Sequence, residues 1–522
     1  MDKLRYFAGR RDLIFSGVYL VLAVLTANSY LWYGPNLGLG IGMSLLTLVT
    51  AFYLWPARRR VTLYGAACLV GALACGVSMA WSDDSLVKKL ALLLSLTLNT
   101  CAVVQKLGLW KRPRGTFRRI GDLFCWGIGY PIGHCGGALY ALFHRQGPEG
   151  TVQSRRTGSV LLGVLCALPA LMILVPLLIS SDAAFAGMLE RLDLAAVVEI
   201  ILSLLLGLGL WLVLFSQGFL LPRYQPQPPV EKMPRRGIEP VGMTAFLAVI
   251  CTLYVLYLLS QLAYFFSGFA GILPEGYTAA EYARRGFFEM TAVCAINLLL
   301  IFLCLLTVRK KQGREPLSVR LLCLFICLFS LVLIAASVSK MTLYINTYGM
   351  TRLRILTSAF MLVLAVCLLC VTVRLFARRF AYMGPILVVT AVVILGLNFV
   401  NCDRLIAEYN YNAWQSGQLA ELDMDHLGEL NAAAVPVLWE IAQSEDAELA
   451  RQAQAHLSSW ANVLIGADWD AVNPAPEGIV PPPMKPQPDP RAWNRDTARA
   501  VELLYDHWYD YYIVDYWEYL YM

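Results

Sequence analysis

Eleven stretches of the chain stay apolar for close to the length a helix needs to cross a lipid bilayer. A hydrocarbon core about 30 Å thick takes roughly 20 residues at about 1.5 Å each. The stretches are Leu13 to Tyr33, Leu37 to Trp55, Val61 to Trp81, Leu86 to Val104, Val160 to Ile179, Val197 to Leu221, Met243 to Phe266, Phe287 to Val308, Leu321 to Ile345, Ile355 to Phe376, and Met383 to Val400. Segments of this kind fold as helices packed side by side in lipid, because hydrocarbon offers backbone N–H and C=O groups no water to bond. Composition agrees: 58% of the 522 residues are hydrophobic and 15% are charged, against roughly 25% charge in a soluble protein. A soluble enzyme, a nucleic-acid binder working through its overall charge, and a disordered or fibrous chain are thereby excluded. The predicted fold class is all-α: a polytopic transmembrane helical bundle of about 11 spans, residues 1–400, with a small α-helical extracytoplasmic C-terminal domain.

The net charge of +6 conceals two opposite segments. Residues 401–522 carry 6 basic and 20 acidic side chains, whereas residues 1–400 carry 36 basic and 16 acidic ones. Basic loops stay cytoplasmic. With the N-terminus inside, 28 Lys and Arg fall on the cytoplasmic side and 8 on the other, and every inside loop is basic. That alternation predicts an N-in, C-out chain whose acidic tail is exported. Lys88 and Lys89, near the start of the fourth span, then have to snorkel to the headgroups. Arg10 and Arg11 ahead of an apolar run resemble a signal peptide, but the length of the run and the lack of a clear A-x-A site favour an uncleaved anchor.

Residues 123–143, LFCWGIGYPIGHCGGALYALF, carry no formal charge, and basic clusters flank them on both sides. Their glycines and Pro131 make a poor straight helix. A re-entrant or interfacial hairpin fits both facts, with a full twelfth span as the alternative. Beyond Val400, residues 401–465 read as two to four amphipathic helices of an acidic extracytoplasmic domain. Residues 466–490 form a Pro-rich linker, and residues 491–522 an aromatic, acidic helix. All 14 cysteines lie at or before Cys402, which excludes a disulfide-stapled exported module.

Charged side chains inside a membrane helix are costly and mark candidate sites. Glu289 lies a turn into the eighth span, and Asn297 borders its face about 80° round the helix. Lys340, Tyr344 and Tyr348 share one face of the ninth span at four-residue spacing. Antiparallel neighbours bring Glu289 and Lys340 to similar depth, so pairing them is the economical way to neutralise both. Such a pair either fixes helix register or forms part of a substrate or proton site. Around it stands an outer cluster of Arg284, Arg285, Arg352 and Arg354, a candidate anion-binding set. Its partner is the protein's own acidic C-terminal domain, or an anionic lipid or lipid-linked phosphate held by guanidinium forks.

Other patterns point to bland roles. Cys125, His134, Cys135 and His144 lack zinc-ligand spacing. Cys367 and Cys370 read as packing residues, and Asp423-Met-Asp425 and Asp468-Trp-Asp470 arise easily in so acidic a segment. No nucleotide-binding, nucleophile-elbow or metalloprotease motif is present. No metal or cofactor is expected, and no nucleic-acid partner.

Four stretches, YARRGFFEMTAVCAINLLL (282–300), SVSKMTLYINTYGMTRLRILTSAF (337–360), NCDRLIAEYN (401–410) and LDMDHLGELNAAAVPVL (422–438), resemble a bacterial family of multi-spanning membrane proteins catalogued only as a domain of unknown function. The resemblance covers roughly residues 160–440. It implies a multi-pass protein of the bacterial cell membrane with a single shared membrane domain, and it brings no reaction with it. The stretches include Glu289, Lys340, Tyr344, Arg352 and Arg354.

The function expected is that of a non-enzymatic envelope scaffold or sensor, its acidic domain held over an outward-facing polar cluster. The alternative is a transporter or flippase of an anionic or lipid-linked substrate. A membrane transferase using a lipid-linked donor comes third, since the first outer loop, Gly34 to Asn36, has no carboxylate.

Overall fold

A computed structural model describes residues 7–56, 62–110, 118–146, 152–154, 163, 167, 174, 194–224, 238–269, 287–309, 315–377, 380–465 and 489–507. Ten of the predicted spans are helices in it: α1 (Arg10–Tyr33), α2 (Leu37–Tyr53), α3 (Leu63–Met79), α4 (Ser85–Leu107), α5 (Leu194–Leu220), α6 (Pro240–Phe269), α7 (Phe287–Thr307), α8 (Leu317–Tyr348), α9 (Arg352–Phe376) and α10 (Met383–Val400). Among the described residues, eight helices are long and apolar enough to cross a membrane. The other two, α2 and α3, have 17 residues each, at the lower end of the spanning range. The predicted span Val160 to Ile179 lies almost wholly outside the described residues.

Much of the apolar surface has no protein against it. On α10 only Asn398 is buried, and Leu253, Leu256 and Leu259 of α6 stand exposed. Continuous apolar faces of this size belong in hydrocarbon, so the fold is that of a helical multi-pass membrane protein.

Chain contacts divide the structure into two compact units, described in turn. The first holds the described residues before Pro226 together with 489–498; the second holds those after Gln227 together with 499–507.

In the first unit, small residues let helix backbones approach. A Cβ at Gly40 of α2 would stand 2.3 Å from the Gly76 carbonyl oxygen of α3, and one at Gly207 of α5 would stand 2.5 Å from Val24 Cα of α1. Two hydroxyls of α2 are satisfied locally: Thr47 and Thr50 donate to the carbonyls of Met43 and Leu46. A charged node ties three helices together at one end. Asp12 accepts from Tyr53 Oη at 2.6 Å, from Arg223 Nη2 at 2.8 Å and from the Gly9 amide at 2.9 Å.

Residues 118–143 form a broken helix at that same end. Helix Arg118–Phe124 passes through a π-turn at Cys125–Gly129 into Tyr130–Gly133, and after His134 the chain restarts as Cys135–Phe143. Trp126 is buried with Tyr53, Leu54, Val103, Val104 and Leu221, while the Ala141 carbonyl accepts from the Ala8 amide. Both arms therefore pack where α1 begins and α2, α4 and α5 end. A three-residue antiparallel ladder, His144–Gln146 with Val152–Ser154, is a small addition to the predicted all-α class.

The second unit packs α6–α10 around Cys294, Ile301, Val319, Cys323, Ile326 and Leu368. One residue, Asn401, separates α10 from α11 (Cys402–Gln415). The helical domain continues with Met424–Gly428, α12 (Val435–Ala442) and α13 (Ala447–Ile465). Its core of Ile406, Leu427, Leu438, Ile441 and Leu457 also takes in Ala500 and Leu504 from α14 (Arg495–Asp506).

Gly40→Ala should force α2 and α3 apart and lower stability by about 1–3 kcal/mol, the usual cost of overpacking. Gly209→Ala, with open space around it, should leave it unchanged. Thermal denaturation of the detergent-solubilised chain checks both.

Candidate functional site

Helix α8 has 32 residues, about 48 Å at 1.5 Å per residue, so it outreaches a 30 Å hydrocarbon core. It stops at Gly349, whose φ of 74° is left-handed and favours glycine. A side chain there would also meet Asn410 Oδ1 at 2.7 Å. Asn410, on α11, brackets the next residue: its Oδ1 accepts from the Met350 amide at 2.5 Å and its Nδ2 donates to the Met350 carbonyl at 2.9 Å. Arg352, opening α9, forms a two-pronged ion pair with Asp403 through Nε at 3.0 Å and through Nη2. The Asp403 carboxylate is wholly buried and also accepts from the Asn431 amide at 3.1 Å. Met350 and Ile355 pack against the core of the helical domain. Helices α8 and α9 thus hold α11 by an ion pair, an amide fork and apolar contact at once.

Arg354, half a turn further on, has a different task. Its guanidinium lies 3.9 Å from the Tyr344 ring centroid, and Nη1 donates to the carbonyls of Tyr348 and Gly349 at the open end of α8. Cations are favoured at a helix C-terminus and over an aromatic face. No carboxylate pairs with it among the described residues. Below it, α8 and α9 part to leave a groove of about 310 Å³, lined by Ile334, Val338, Met341, Thr342 and Ile345 on one side and by Ser358, Met361, Leu362 and Ala365 on the other. The Ser358 hydroxyl donates to the Arg354 carbonyl, one turn above the groove.

The remaining predicted residues are distributed around this node. Glu289 is exposed on the first turn of α7. Its charge bears on Lys340 of α8, but no ion pair joins the two among the described residues. Asn297 sits elsewhere, buried in the helix core, accepting from Tyr254 Oη at 2.5 Å and donating to Ser330 Oγ at 3.0 Å. Arg284 and Arg285 lie outside the described residues. Asp403, Asn410 and Asn431 were not among the sequence candidates. One acid among 20 in the tail gives no signal of its own, although Asp403 and Asn410 both fall in the stretch NCDRLIAEYN.

The first unit carries a second polar cluster, where α1 and α3 end and α2 and α4 begin. Lys88, expected to snorkel, is instead buried at 1% exposure. Its ammonium donates to Asn36 Oδ1 at 2.6 Å, and Asp83, Asp84 and Asp496 supply countercharge. Residues 489–498 lie across these helix ends. Arg491 donates to Asn28 Oδ1 at 2.8 Å and to Tyr33 Oη at 2.5 Å. The Trp493 carbonyl accepts from Leu37, and the Arg495 amide donates to the Ala80 carbonyl. The Arg491 guanidinium beside Asp489 holds that carboxyl well below the usual carboxylate range. Asn28 passes the contact on to Glu199 and Ser203, each at 3.0 Å.

The other sequence patterns have structural roles where they are described. Asp423 caps Met424–Gly428 by accepting from the His426 amide, His134 and His144 stack on Tyr130 and Tyr140, and Cys367 and Cys370 are buried. No group of three or more His, Cys, Asp or Glu that could hold a metal occurs among the described residues. Asp468, Asp470 and the aromatic residues from Trp508 onward lie outside them.

The family model described as Domain of unknown function (DUF4153) matches residues 43–441, starting well before residue 160, where the sequence resemblance begins. No curated protein and no solved structure matches the chain.

Arg352→Met should strand a buried carboxylate and cost roughly 2–3 kcal/mol, less than for a fully buried pair because Arg352 is partly solvated. Adding Asp403→Asn removes the stranded charge but keeps an acceptor for Asn431, so the double variant should be more stable than Arg352→Met alone. Melting temperature and tryptic cleavage at Arg404 and Arg451 give the readout.

Proposed function

We propose, from the premise that this chain belongs to the DUF4153 family of domains of unknown function, that it is a non-enzymatic scaffold or sensor of the bacterial cell envelope. The N-terminus is cytoplasmic, and the acidic helical domain is held at the outer face of the membrane-spanning helices. The observation that carries this reading is the joint of Arg352, Asp403, Asn410 and Met350. A domain tethered by a flexible linker would move without consequence for the spans. A domain fixed by a buried ion pair and an amide fork, and continuous with α10 through one residue, cannot tilt without pulling on α8, α9 and α10. Mechanical coupling of that kind suits a protein that transmits or resists a load at the membrane surface. The basic alternation of the loops supports the orientation.

A second reading, a transporter or flippase of an anionic or lipid-linked substrate, draws on the groove between α8 and α9 at the level of Lys340. The scaffold reading is preferred because two of the polar candidates are already engaged within the protein: Arg352 by Asp403 and Asn297 by Tyr254 and Ser330.

Two measurements test the reading. Alkaline phosphatase fused after residue 522 should be active and a green fluorescent protein at the same point dark; the reverse pattern would place the domain inside. In proteoliposomes, fluorescent phospholipid or polyprenyl phosphate should cross no faster than in protein-free vesicles. Accelerated crossing, abolished by a bulky side chain in the groove, would favour the transporter.

A further inference from the structure

The geometry points to an anionic-phospholipid site between α8 and α9: one acyl chain lies in the groove and the phosphate sits at Arg354. This rests on the reading above, which puts that end of the helices outside and so assigns the lipid to the outer leaflet. Four observations converge on it. The groove is lined mainly by apolar side chains, its two hydroxyls, Thr342 and Ser358, being bonded back to their own helices, and its volume of about 310 Å³ falls within the range of small-ligand sites. Its wall on α8 runs from Ile334 to Ile345, a rise of about 16 Å, close to half of a 30 Å hydrocarbon core. A groove one leaflet long fits an acyl chain better than a polyprenyl chain, most of which would hang outside it.

The third observation is position. The guanidinium of Arg354 lies on the Tyr348 and Gly349 carbonyls and over the Tyr344 ring, at the end of α8 next to Ile345, the last groove residue on that helix, where a phosphate would lie. The fourth is charge. Arg352 is neutralised by Asp403, whereas Arg354 is fixed by two carbonyls and the Tyr344 ring, none of which cancels its charge. Its Nη1 is occupied, while no hydrogen bond to a protein acceptor is formed by Nε or Nη2 among the described residues. A guanidinium edge held in place with donors to spare suits a phosphate. Tyr344 orients the cation and so acts as a positioning residue.

The lipid would tie the joint to the membrane it stands in. Arg354 closes the end of α8 directly before Met350 and Arg352, the two points where the helical domain is held. Occupancy at Arg354 would therefore stiffen the same turn that carries the domain, and the sensing proposed above gains a ligand.

The test uses the full chain in mild detergent. Native mass spectrometry measures binding of phosphatidylglycerol and of phosphatidylcholine with matched acyl chains. Wild type should prefer phosphatidylglycerol by about tenfold, the scale of a charge-assisted hydrogen bond. Arg354→Gln should erase the preference while phosphatidylcholine still binds. Ala365→Trp, which fills the groove and leaves the charge alone, should weaken both lipids by about tenfold; it also serves as the check if loss of the Arg354 contacts prevents folding. Equal binding of the two lipids to wild type, or an unchanged preference and affinity in Ala365→Trp, overturns the proposal. So does a polyprenyl phosphate that occupies the groove and resists displacement by phosphatidylglycerol. Each of those results leaves the reporter-fusion outcome untouched, so failure of the lipid site is distinguishable from failure of the orientation.

Discussion

In hydrocarbon a polar group has no water to fall back on, and several polar side chains of this chain are paired in a way that meets that condition. Backbone amides meet it by forming helices. Side chains meet it in small closed sets: Asp12 with Tyr53 and Arg223, Lys88 with Asn36 and neighbouring acids, and Asn297 with Tyr254 and Ser330. Each set joins helices distant in sequence. Dispersion alone distinguishes one apolar helix face from another only weakly, whereas a stranded donor or carboxylate is costly. These sets therefore fix which helices are neighbours and at what register.

At the end carrying the helical domain, the same requirement produces the joint. Asp403 is buried because the domain core closes over it, and burial makes Arg352 obligatory. Arg352 opens α9, so the pair fastens the domain to a membrane helix and not to a loop. Gly349 makes this possible by turning the chain sharply between α8 and α9 and leaving room for Asn410. Arg354, two residues beyond Arg352, escapes the pairing and faces the α8–α9 seam.

How much of this was legible beforehand follows from the range of each interaction. Nearly every helix was legible, because apolar run length is local and a bilayer imposes the same minimum on every span. That residues 123–143 make no single straight helix was legible too, since glycine and proline act locally. Arg352 and Arg354 could be flagged as cations in a costly place, but their different partners could not be assigned. Lys88 departs from the expectation: snorkelling is the default for a lysine near a helix end, and only the packing of Asn36, Asp83 and the segment 489–498 makes burial possible.

Residue order is enough to specify a helical membrane protein, the course of its helices, and the division of opposite charge between its membrane part and its tail. These properties depend on residues within a turn or two of each other, or on sums over a segment. Tertiary structure alone decided that Asp403 meets Arg352, that Asn410 grips Met350, that Asn297 bonds Tyr254 and Ser330, and that a groove opens below Arg354. Each of those rests on two segments brought together across tens of residues, and the free energy that selects one partner over another exists only once both have been taken out of water.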